Sequence, residues 1–144
     1  KISFKFRAYT CKFIRVYLEV FPEATFVFFK RSPLDWAKSC SSKFKWSAIK
    51  MLETYKYAHE SYEILASSKA ELLLLDYDNL EKWPHTLTNS KNLLEKNLVT
   101  KFENKLKKEF TKDSQLGFID NNNKDFDKKE VEKFMSMNLP SYSW

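Results

Sequence analysis

The stretch Phe21-Pro-Glu-Ala-Thr-Phe-Val-Phe-Phe-Lys-Arg-Ser-Pro-Leu-Asp-Trp-Ala-Lys-Ser39 decides the reading of this chain. Residues 25–29 form a β-branched and aromatic run with no polar alternation. Such a run predicts a strand buried on both faces, as in the middle of a parallel sheet. It ends in Lys30-Arg31-Ser32-Pro33, and a helix is predicted from residue 34 to about residue 44. In open α/β sheets, ligands sit just beyond the carboxyl ends of the strands. Arg31 stands there with a planar five-donor fork that suits phosphate. Ser39, about one helical turn past Asp35, offers a hydroxyl to the same anion. A plain Arg31–Asp35 ion pair, with Ser39 a neutral helix residue, explains the same pattern without a ligand.

Upstream, residues 2–6 alternate apolar and polar side chains and read as a short strand. A helix over residues 8–21 would put Phe13, Ile14, Tyr17, Leu18 and Phe21 on one face, and Pro22 would stop it. Downstream, a longer helix over residues 47–66 repeats Ile49, Leu52, Tyr55, Ala58, Tyr62 and Leu65 at three- and four-residue steps. Residues 71–75 are a third strand candidate, punctuated by Asp76-Tyr77-Asp78-Asn79. Helical segments are expected over most of the remainder, interrupted at Pro84 and by Asp120-Asn121-Asn122-Asn123. This rhythm is that of a three-layer α/β protein with a parallel sheet, and three strands suggest part of a larger fold.

Composition narrows the chemistry. The chain has 144 residues, 43% hydrophobic and 31% charged, which suits one domain with a packed core. Gly117 is the single glycine, so no P-loop, dinucleotide fingerprint or nucleophile elbow of the usual glycine-rich form exists in it. Cys11 and Cys40 make no metal knuckle, and a pair of free thiols is expected over one bridge. No apolar run approaches a membrane span. A soluble protein is expected, its compartment left open with the cytoplasm favoured. The first residue is Lys1, which suggests a fragment or processed product. Residues 1–50 carry 11 Lys/Arg against 3 Asp/Glu, so the overall charge of +6 is an N-terminal property that fits a local anionic partner.

The central stretch resembles the 3′-phosphate-binding segment of sulfotransferases that use 3′-phosphoadenosine-5′-phosphosulfate (PAPS). There a strand runs into R-x-P-x-D, and a Ser follows the Arg by eight positions, as Ser39 follows Arg31. Phe21-Pro-Glu-Ala24 before an apolar strand is also similar to the family. So are the helix carrying Tyr55 and His59, and Leu72-Leu-Leu-Leu-Asp-Tyr77-Asp-Asn-Leu80 beside the family's strand ending in Y-E-D-L. Trp83-Pro84 with Leu87, Leu93, Leu94 and Leu98 resembles the next helix. The likeness covers residues 1–98, an α/β region, with residues 99–144 as a helical extension of the same domain. It implies a P-loop-like sulfotransferase fold, incomplete here. It also implies cofactor binding through Arg31 and Ser39 and an adenine near Tyr77. The reaction would be sulfuryl transfer from PAPS to an acceptor hydroxyl or amine.

The chain also departs from the family pattern. The loop that grips the 5′-phosphosulfate has no counterpart, nor does the C-terminal R-K-G loop. Near the place of the family's catalytic His stand Lys5, Arg7 and Tyr9, and an arginine never deprotonates to act as a base. The catalytic residues are therefore unassigned. The alternative expectation is a non-catalytic module of the same fold that binds an anionic partner through its basic N-terminal third.

His59 is expected to pack and His85 to start a surface helix, with no second ligand spaced for a metal. Asp120, Asn122 and Asp125 resemble an EF-hand, but neither the central Gly nor the apolar eighth position is there. An Asn-rich turn before a capping box at Asp127-Lys-Lys-Glu130 is expected instead, with Val131, Phe134 and Met135 inward. Aromatics interleaved with lysines (Tyr9, Phe13, Tyr17, Trp36, Phe44, Trp46) are assigned to packing, not to single-stranded nucleic acid.

Overall fold

The computed structural model of the chain describes residues 8–79, 82–88 and 125–142. A 3-10 segment, Ala8–Phe13, leads into α1 (Ile14–Val20), followed by β1 (Thr25–Lys30), α2 (Pro33–Phe44) and α3 (Ala48–Ala66). Then come β2 (Glu71–Asp76), α4 (Trp83–Thr88) and α5 (Lys128–Met135). β1 and β2 pair in parallel, Thr25 against Glu71 through Lys30 against Asp76, so α2 and α3 together form the crossover between them. The result is a mixed α/β structure with a small parallel sheet and flanking helices.

Among the described residues the sheet has two strands, not three. The expected strand at residues 2–6, the leucines at 93, 94 and 98, and the Asn-rich turn lie outside the described residues. β1 is parallel as expected, yet none of its residues is fully buried and Phe29 is 49% exposed. Its one ladder neighbour among the described residues is β2. That leaves the strand short of the two-sided cover its composition predicts.

The helices follow from local chemistry. Ser32 caps α2 by accepting from the Asp35 amide, and Pro33 occupies the first turn, where its lost N–H matters least. Lys45 ends α2 in the left-handed region at φ 52°, an uncommon place for a residue with a Cβ. Its amide bonds the Ser41 carbonyl, and its ammonium reaches the Asp125 carboxylate at 3.0 Å. Ser47 then caps α3. Pro84 does not interrupt a helix as expected; it is the second residue of α4, and proline is tolerated in a first turn.

Two predicted apolar faces are corrected. In the first helix Ile14 is buried, but Phe13 and Phe21 are each 46% exposed. Its first six residues wind as a 3-10 helix with three residues per turn, which breaks the phase of a 3.6-residue stripe. In α3, Ile49 is 58% exposed, while Thr54 and Ser61 are buried. Both hydroxyls donate to the carbonyl one turn back, Thr54 to Lys50 and Ser61 to Tyr57, so they enter the core with their polarity satisfied.

The core lies where α2, α3 and α5 meet: Ala37, Cys40, Ala48, Met51, Tyr55, Val131 and Phe134. Fully buried Ala37 and Ala48 let the helices approach, and Phe134 fills the junction against Trp36 and Tyr55. The capping box at Asp127 forms by half. Asp127 accepts from the Glu130 amide, but the Glu130 carboxylate accepts from Ala48 N–H at the start of α3. The Asp127 amide donates instead to buried Ser41. α5 is thus tied to both crossover helices, while Met135, expected inward, is 40% exposed.

Candidate functional site

The carboxyl end of β1 opens into a cleft of about 450 Å³. Lys30, Arg31, Ser32 and Pro33 form one side of its lining, with Tyr55, Asp78 and the segment Leu139–Tyr142 completing it. The cleft therefore occupies the position at which parallel sheets present ligands.

Arg31 is half-buried, and its guanidinium lies 5.6 Å from the Tyr77 ring centroid. No carboxylate pairs with it among the described residues. Asp35, the expected partner, accepts from the Ser32 hydroxyl at 2.9 Å and lies 4.0 Å from Lys38. The plain Arg31–Asp35 pair is therefore not formed. Lys30, one residue earlier, is engaged with Asp76 at 3.9 Å.

Tyr77 extends the sheet by one bond, its amide donating to the Lys30 carbonyl at 2.9 Å. Its ring is half-exposed and packs with Phe29 and Trp83, whose centroids lie 6.3 and 5.4 Å away. Trp83 is anchored by its indole N–H, which donates to the Asp76 carbonyl at 2.6 Å. Arg31 and Tyr77 are thus brought together by the parallel register of β1 and β2. Ser39 is not brought to the cleft: it is half-buried along α2 and does not border the cavity. Its hydroxyl makes no hydrogen bond among the described residues.

Burial pushes the neighbouring Cys40 thiol up to about 12, with the Arg31 charge pulling weakly the other way. Cys11 is raised as well, first by burial. Both cysteines are free thiols, as expected, but neither has the lowered pKa of a nucleophile. For Asp76, burial favours the neutral acid. The Asp78 amide, the Asn79 side chain and the charges of Lys30 and Lys82 outweigh it and hold the carboxyl below its ordinary value. A fixed anion there keeps the turn after β2 in shape, because Asp76 accepts from Asp78 N–H and Asn79 Nδ2 at 3.0 and 2.8 Å.

The far wall is a segment that sequence reasoning missed. After α5, residues 138–142 run without regular structure to the cleft. The Ser141 carbonyl lies 2.8 Å from His59 Nε2. The Tyr142 ring sits among Phe28, Tyr55, His59 and Tyr62 at centroid distances of 4.8 to 6.1 Å. His59 is accordingly a packing and anchoring residue, as expected. Nothing in Leu139-Pro-Ser-Tyr142 announces this place, since it depends on where α5 docks. Among the described residues no group of acids, histidines and cysteines is gathered to hold a metal, and no helix is long and apolar enough to cross a membrane.

No family model, curated protein or solved structure matches the chain.

Proposed function

We propose that the cleft at the end of β1 binds the 3′-phosphoadenosine part of a PAPS-type nucleotide, in a sulfotransferase of P-loop-like fold. The observation that carries this reading is the half-buried Arg31 guanidinium, held at a parallel strand's carboxyl end without a carboxylate partner among the described residues. Such a fork binds a phosphate through two parallel charge-assisted hydrogen bonds. Ser39, which the resemblance pairs with Arg31, lies along α2 outside the cleft lining, so the phosphate contact of this reading rests on Arg31. The half-exposed Tyr77 ring, backed by Phe29 and Trp83, offers a stacking face for adenine. Asp78 in the same cleft suits a ligand that carries hydrogen-bond donors beside its phosphate, as a nucleotide does.

The reaction in this reading is in-line transfer of a sulfuryl group from PAPS to an acceptor hydroxyl or amine. The residues named here bind and orient the nucleotide, and rate would come from positioning. The test is calorimetric titration with 3′-phosphoadenosine-5′-phosphate (PAP) and with AMP. A preference for PAP of at least about tenfold is expected from one charge-assisted phosphate contact. Equal affinity for the two would overturn the 3′-phosphate assignment.

A further inference from the structure

Among the described residues, the buried hydroxyls of Thr54, Ser61 and Ser41 follow the rule that a polar group removed from water finds a partner. Thr54 donates to the Lys50 carbonyl, Ser61 to the carbonyls of Tyr57 and Cys11, and Ser41 accepts from the Asp127 amide. Tyr55 departs from that rule. It is 7% exposed, and its hydroxyl makes no hydrogen bond among the described residues. The ring is held by Trp36 at 5.6 Å, Phe134 at 5.9 Å and Tyr142 at 5.5 Å. Tyr55 also borders the cleft together with Arg31. A rigid, nearly buried phenol with no hydrogen-bond partner among the described residues, lining the same cleft as a guanidinium with no carboxylate partner among them, is arranged to meet something that enters the cleft.

We propose that Tyr55 donates its phenol O–H to an anionic oxygen of the phosphate held by Arg31, serving as a second binding residue for that anion. The inference rests on the assignment of the cleft to an anionic ligand, and extends it to a residue of α3 that lines the same cleft. Two donors from different elements, β1's end and the middle of α3, would fix an oxyanion in both position and orientation. Burial raises the Tyr55 pKa, which keeps the phenol protonated and able to donate at neutral pH.

The test titrates PAP, AMP and inorganic sulfate into the full chain and into Tyr55→Phe, and records the melting temperature of each without ligand. The expected result is a loss of about tenfold or more in PAP affinity, the size of one hydrogen bond to a charged group. AMP affinity should stay the same, and Tyr55→Phe should melt no lower than the wild type. Wild-type affinity for PAP with Tyr55→Phe would overturn the role of Tyr55 and leave the nucleotide reading standing. Sulfate binding that weakens in Tyr55→Phe, in a protein that does not prefer PAP to AMP, would support Tyr55 and overturn the nucleotide. No binding of any of the three to the wild type would overturn both. A clearly lowered melting temperature for Tyr55→Phe would mean that the hydroxyl serves the fold, and would overturn the proposal as well.

Discussion

The two ends of α2 are built from similar materials and finished differently. At its C-terminal end Lys45 meets Asp125, Ser41 receives the Asp127 amide, and the Glu130 carboxylate takes Ala48 N–H at the head of α3. These polar groups are matched by protein. At its N-terminal end Ser32 and Asp35 satisfy each other, Lys30 has Asp76, and Arg31 has an aromatic ring but no carboxylate among the described residues. The difference separates the end that serves the fold from the end proposed to serve a ligand. A matched polar group stabilises the chain that surrounds it, while an unmatched, half-buried guanidinium contributes little until an anion arrives.

Substitutions can break that contrast. Phe134 is fully buried where α5 meets α2 and α3, so Phe134→Ala should produce the largest loss. About 3–5 kcal/mol is expected in denaturant unfolding, from lost transfer energy and the cavity left behind. A loss below about 1 kcal/mol would mean that α5 is not part of the cooperative core. Ser41→Ala strips the Asp127 amide of its acceptor at a buried site and should cost about 1–3 kcal/mol by the same measurement. An unchanged stability would show that the matched end of α2 is not what holds α5. Arg31→Ala should sit at the bottom of the scale, below about 1 kcal/mol, since it gives up one ring contact. A loss as large as that of Ser41→Ala would place Arg31 in the structural set and erase the difference between the two ends.

Much of this arrangement was legible in the sequence because it is local. β1 and β2 lie within one residue of the predicted runs, and α2 and α3 likewise, since apolar strings, Ser caps and Pro33 act over a few residues. The carboxyl-end position of Arg31 and its nearness to Tyr77 follow from parallel pairing, which the unalternating apolar run and the order of strands and helices already implied. What escaped was long-range. Glu130 reads as half of a capping box, yet it caps a different helix 82 residues earlier in the chain. Ile49 fits the α3 stripe but faces outward, because docking of α5 and of the 3-10 segment buries Met51, Thr54 and Ser61 instead. Tyr55 appears in sequence as an ordinary member of an apolar face. Its place on the cleft emerges once Leu139–Tyr142 closes the far wall, where its hydroxyl has no hydrogen-bond partner among the described residues.

The central claim is that Arg31 is held for a 3′-phosphate. Its most direct test compares Arg31→Ala with the wild type in calorimetric titrations of PAP and AMP, on samples whose melting temperatures agree. The substitution is expected to lower PAP affinity by about ten- to a hundredfold while leaving AMP affinity nearly unchanged. An equal loss for both nucleotides, or no loss for either, would contradict it.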